Sequence, residues 1–146
     1  MADKPQLDPQ LVQDFVRAAH GDVDKVTALA SEHPALVNAV WDWGGGDWES
    51  GLGAAAHTGR REIAEFLLAR GARMDLFAAA MLGHLDLVRA HLAAAPSALT
   101  APGPHGIPLL THAKMGGESA KPVLDYLQAL LDSRVTPTAA TDATKS

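Results

Sequence analysis

One pattern recurs along this chain and restricts its fold more than any other feature: an alanine-rich apolar segment, a glycine, then an amphipathic segment. Gly59 follows Ala54-Ala55-Ala56-His57-Thr58 and precedes Arg60-Arg61-Glu62-Ile63-Ala64-Glu65-Phe66-Leu67-Leu68. Gly83 follows Ala78-Ala79-Ala80-Met81-Leu82 and precedes His84-Leu85-Asp86-Leu87-Val88. Gly21 carries a third copy, between Ala18-Ala19-His20 and Asp22-Val23-Asp24-Lys25-Val26, and Gly116 a degenerate fourth. Each copy reads as helix, glycine turn, helix. The glycine ends the first helix by taking a left-handed backbone. The second helix repeats apolar residues at helical spacing, as in Ile63, Phe66 and Leu67. Gly71 closes the second helix of the second copy, and Pro34, Pro96 and Pro104 punctuate the links. Asp8-Pro9 starts the first helix with a capping acid and a proline at the first helical position.

Composition agrees. The chain has 146 residues, one domain's worth, with 28 Ala against 3 Phe, 3 Trp and 1 Tyr. Alanine is the best helix former, so an all-α fold of short, closely packed helices is expected. A net charge of -5 argues against a nucleic-acid partner, which needs clustered cations. No run of apolar residues is long enough to span a membrane, and the polar start lacks the pattern of a signal peptide. No membrane partner and a cytoplasmic address are therefore expected. Cysteine is absent, which removes disulfides, thiolate nucleophiles and Cys-held metals.

Residues 55–72, Ala-Ala-His-Thr-Gly-Arg-Arg-Glu-Ile-Ala-Glu-Phe-Leu-Leu-Ala-Arg-Gly-Ala, closely resemble an ankyrin repeat. Gly106-Ile107-Pro108-Leu109-Leu110 is similar to the family's Gly-x-Thr-Pro-Leu-His entry. The resemblance implies an all-α solenoid of about four helix-turn-helix units with projecting β-turn fingers. The units fall at 9–38, 39–72, 73–99 and 100–132, after a tail at 1–8 and before a flexible tail at 133–146. It also implies a recognition module that binds a partner protein through its concave face, as a monomer and without a cofactor.

The period is irregular. The glycines are spaced by 38, 24 and 33 residues, against a family repeat of about 33. The finger between units two and three is missing, so Ala72-Arg73-Met74 runs into Asp75, the expected cap of the next helix. The finger between units one and two is enlarged: Val40-Trp41-Asp42-Trp43-Gly44-Gly45-Gly46-Asp47-Trp48-Glu49-Ser50. Ser50 is placed to cap the helix that follows. A missing finger beside an enlarged one should leave a notch. Its walls would be the Trp-rich loop with His57, Thr58, Met81 and Leu82, and on the far side His105 with Lys114 or Met115.

The loop is the least ordinary segment. Trp41, Trp43 and Trp48 offer flat apolar area, and Asp42, Asp47 and Glu49 beside them favour a cationic or hydroxyl-rich ligand. The plainer reading makes the rings plugs for the absent finger. Seven histidines are present. His84 suits a helix start, His33 a link, His91 a half-buried packing position and His112 the core. His20 and His57 precede turn glycines and should face the concave side. His57 could pair with Asp47 or Glu49 as base and carboxylate, and His105 could join them around a metal. No local spacing supports a metal, however: there is no HExxH and no i,i+4 His pair, so none is assigned. Asp47, Glu49 and His57 are the catalytic candidates. The same three, with Trp41, Asp42, Trp43, Trp48, Thr58, Met81, His105 and Lys114, form the candidate binding surface. Partner-protein recognition is thus the leading expectation. A small-molecule or enzymatic pocket at loop 41–49 is the alternative.

Overall fold

Side chains that cap helices are encoded locally, and they start four of the eight α-helices here. The structure is a computed structural model that describes residues 4–145, with side chains described through residue 134. Asp8 accepts from the Gln10 amide at the start of α1 (Pro9–Ala18), with Pro9 in the first turn. Asp22 accepts from the Lys25 amide and starts α2 (Val23–Glu32). Ser50 accepts from the Gly53 amide at 2.9 Å and starts α3 (Gly51–His57). Asp75 accepts from the Ala78 amide at 2.8 Å and starts α5 (Leu76–Leu82). The remaining helices are α4 (Arg61–Ala69), α6 (Leu85–Ala94), α7 (Leu109–Met115) and α8 (Lys121–Lys145). Pro34, Pro96 and Pro104 each open a short 3-10 turn between helices. The expected C-terminal tail at 133–146 falls mostly on side chains outside those described, and its backbone to Lys145 belongs to α8. Residues 1–3 of the expected N-terminal tail also lie outside the described residues.

The fold is mainly helical, with one two-stranded sheet among the described residues. Odd-numbered helices pack in order, α1 on α3, α3 on α5 and α5 on α7, and each also packs on the even-numbered helix that follows it. Buried alanines make this close approach possible: Ala54, Ala55 and Ala56 on α3 and Ala78, Ala79 and Ala80 on α5. Larger side chains fill the space between layers. Phe15, Leu36, Leu52, Ile63 and Leu67 form one core, and Leu76, Val88, Leu109, Val123 and Leu127 another. Each such side chain contributes about 1.5–3 kcal/mol on burial.

The junctions depend on glycine and on one arginine. Gly83 takes φ +84°, and a Cβ there would meet the Ser119 carbonyl at 2.2 Å. Gly116 differs from expectation: its φ is -77°, and Gly117 is the left-handed residue. Gly116 is instead required by space, since a Cβ would lie 2.0 Å from the Met81 carbonyl. Arg61 opens α4, a poor place for a cation, but its guanidinium reaches away. It donates to the Leu82 carbonyl at 3.1 Å and to the Ser119 hydroxyl at 2.8 Å. The charge therefore sits at the C-terminal end of α5, where the helix dipole favours it. Glu65, one turn along α4, is 3.9 Å away and exposed, a contact worth little.

The connectors are unequal. Between α4 and α5 there is no strand. Asn38 braces that short link instead, donating to the Gly71 carbonyl and accepting from the Arg73 amide. Between α2 and α3 stands an antiparallel hairpin of β1 (Val40–Asp42) and β2 (Trp48–Ser50), with Trp41 opposite Glu49. No helix among the described residues is long and apolar enough to cross a membrane.

Candidate functional site

The hairpin is built around Asp42. Its carboxylate accepts from the Gly44 and Gly46 amides at 2.8 and 3.0 Å, while the Trp43 amide donates to the Asp47 carbonyl at 2.9 Å. Gly44, Gly45 and Gly46 all have positive φ, a run that only glycine adopts without strain. The tight turn fixes which residues face inward. Trp41 and Glu49 are cross-strand partners and share a face. Trp48, next to Glu49, is 59% exposed.

Glu49 is buried, and side chains from four other places meet it. The Trp43 indole N–H donates to Glu49 Oε1 at 2.8 Å. His20, just after α1, brings Nε2 within 3.2 Å of Oε1. His57, the last residue of α3, brings Nε2 within 2.9 Å of Oε2. His105, in the turn before α7, brings Nε2 within 3.2 Å of Oε2. His20, Glu49, His57 and His105 each present one ligand-type atom, all within 4.8 Å of one another. The three rings stack edge-on or tilted, with His57 centroids 5.0 Å from His20 and 5.2 Å from His105.

Outer partners orient these rings. The His20 Nδ1 lies 3.0 Å from the Val16 carbonyl and 3.1 Å from that of Arg17. Asp47 holds His105 twice: Oδ1 accepts from its backbone amide and Oδ2 meets Nδ1, both at 2.7 Å. His105 itself has φ +60°, the sole non-glycine residue with positive φ among those described. Such a backbone is costly and persists only where surroundings fix it. Arg17 lies over the Trp43 ring at 5.7 Å.

Electrostatics reinforce the arrangement. Burial is the largest influence on Glu49 and would raise its pKa. The hydrogen-bonding partners His20, His57 and Trp43 together outweigh it and hold the carboxyl below the usual carboxylate range. The His20 pKa is raised, first by its hydrogen bond with Glu49, against the opposing effect of burial. Even so, Glu49 Oε2 and His57 Nε2 are buried without a well-formed hydrogen bond, a costly state for polar atoms. A carboxylate faced by imidazole nitrogens can hold protons or coordinate a cation.

The candidate surface thus divides. Trp43, Asp47, Glu49, His57 and His105 come together, joined by His20. Asp42 serves its own turn. Trp41 packs against the first core and lines an apolar groove with Leu7, Val12, Val40 and Trp48. Thr58 donates its hydroxyl to the Ala54 carbonyl, Met81 is core, and Lys114 is exposed. The expected notch is bridged, because Asp47 on the enlarged finger reaches the 104–106 turn directly. His112 is buried, with Nδ1 2.8 Å from the Pro108 carbonyl. His91 is exposed rather than half-buried. The sequence does not place His20 on the binding surface, although it carries a signal: like His57, His20 follows an Ala-Ala pair shortly before a turn glycine. Compared with family models, curated proteins and solved structures, the chain matches none. Its function has to be argued from this geometry.

Proposed function

We propose that this chain is a ligand-binding module on an ankyrin-like stack of four helical hairpins, with its binding centre at the Glu49 cluster. The scaffold reading is supported by the glycine-centred copies, by the ordered packing of α1, α3, α5 and α7, and by a hairpin standing where a finger belongs. A monomer in the cytoplasm is part of the same reading.

One observation carries the choice of centre: a fully buried carboxylate meets three imidazoles drawn from three distant segments. A core built only for stability gains little from this. Burying a carboxylate costs several kcal/mol, which an apolar residue of similar size avoids. Groups held at such cost are characteristic of functional sites. The partner-protein reading keeps its own support in Trp48 and Val40, exposed at 59% and 48% on the hairpin.

Trp43 donates to Glu49, so its emission should report occupancy of the cluster. Titration with cationic amines, sugars and divalent metals should shift that emission in the wild-type protein and not in Glu49→Gln. A response retained in Glu49→Gln, or none to any probe, contradicts the assignment. A pull-down compared between wild type and Trp48→Ala tests the partner reading.

A further inference from the structure

The ring tautomers are set by the outer partners. A backbone carbonyl only accepts, so the His20 Nδ1 facing Val16 and Arg17 carries a hydrogen. A carboxylate also accepts, so the His105 Nδ1 facing Asp47 carries one too. In the neutral rings both Nε2 atoms then point a lone pair at the carboxylate oxygens of Glu49, 3.2 Å away. Lone pair against anion is repulsive unless something positive lies between them. Protons on the His20 and His105 rings would satisfy Glu49, but they would set two cations side by side, with ring centroids 6.3 Å apart, which repel. A single dication meets all four groups at once.

We propose that His20, Glu49, His57 and His105 bind one divalent transition-metal ion, through three imidazole Nε2 atoms and the Glu49 carboxylate, with Asp47 positioning His105. This rests on the reading of the cluster as a ligand site and names the ligand. Four features support it. The donors come from four elements, all within 4.8 Å. The contacts of Glu49 Oε2 with His57 at 2.9 Å and His105 at 3.2 Å are close to the edge of a tetrahedron with bonds of about 2.0–2.1 Å, and His20 meets the other oxygen at 3.2 Å. Glu49 Oε2 and His57 Nε2, both buried and 2.9 Å from each other, are atoms a cation would satisfy together. The Asp47–His105 contact is the carboxylate–histidine support that fixes the tautomer and orientation of metal-bound imidazoles. Three nitrogens and one carboxylate select zinc, cobalt, nickel, copper or iron over magnesium and calcium, which prefer all-oxygen sites.

The test uses the full untagged chain, stripped with a chelator and dialysed free of it. Zn2+ binding is followed by calorimetry, and Co2+ binding by its visible absorption, which reports nitrogen ligation. One ion per chain is expected, with Mg2+ giving no competition. His57→Ala and His105→Ala should each weaken Zn2+ binding at least tenfold. Asp47→Asn should weaken it tenfold to a hundredfold and alter the Co2+ spectrum, while Lys121→Ala, an exposed change on α8, leaves both unchanged. Circular dichroism of each variant identifies any that fails to fold, and the comparison then rests on Asp47→Asn, which touches no ion. Absence of saturable Zn2+ and Co2+ uptake, or uptake indifferent to His57→Ala and Asp47→Asn, overturns the proposal. Cationic amines and sugars titrated with chelator present separate the two failures. If they shift Trp43 emission through Glu49 while no metal binds, the ion is wrong and the ligand site stands. If nothing binds, both fall.

Discussion

Glu49 is the residue on which the site turns. It is a buried carboxylate ringed by imidazoles rather than by lysine or arginine. Glu49→Gln keeps the shape and removes the charge, leaving His20 and its neighbours without their partner. Breaking a buried pair from one side costs about 3–5 kcal/mol, so chemical denaturation should show the variant destabilised by that order. A loss under 1 kcal/mol would mean that the carboxylate is solvated. His112 makes a second residue-scale prediction. Burial lowers its pKa against the smaller opposing effect of the Pro108 carbonyl, with the charges of His57, Asp75 and Glu49 also acting on it. The folded state therefore favours the neutral ring. Its contribution to stability is intact above the unfolded value of 6.5 and is lost as pH falls below that value toward the folded pKa. His112→Leu should lose less stability than wild type when urea melts are repeated from pH 7 down to pH 5. Equal losses would show that His112 is protonated as easily when folded.

At the scale of elements, the sequence was most legible where the physics is local. Asp8, Ser50 and Asp75 cap helices as their positions implied, because a cap needs only its own first turn. Asp75→Ala should cost about 1 kcal/mol, and an unchanged denaturation midpoint would remove that role. The unequal connectors, long before α3 and short before α5, could also be read from the glycine spacings. What could not be read was the meeting of His20, Glu49, His57 and His105. Those ligands span 85 positions between His20 and His105, and no motif of fixed spacing joins them. Convergence came from the hairpin. Asp42 ties down its glycine turn, and the finger then reaches the 104–106 segment. Asp42→Ala removes two hydrogen bonds from that turn and should cost about 1–2 kcal/mol. It should also weaken Zn2+ binding, although Asp42 is not a ligand. Unchanged Zn2+ affinity would show that the finger holds its shape without it.

Across the whole molecule, helices pack only as closely as their smallest residues allow. Gly83 and Gly116 lie where backbones of different segments nearly touch. A Cβ at Gly83 adds left-handed strain to a clash with a carbonyl, so Gly83→Ala should cost about 2–4 kcal/mol. A denaturation midpoint equal to wild type would refute that packing. The fold brings together the segment after α1, the hairpin, the end of α3 and the turn before α7, so an ion bound there would tie them to one another. It would stabilise the folded chain in proportion to the logarithm of its free concentration. The decisive measurement is a crystal structure of the full chain grown with Zn2+, with diffraction recorded on both sides of the zinc absorption edge. One anomalous peak is expected about 2.0–2.2 Å from Nε2 of His20, His57 and His105 and from a Glu49 oxygen. A map at saturating zinc with no peak there, and ring nitrogens bonded directly to Glu49, would contradict the metal assignment.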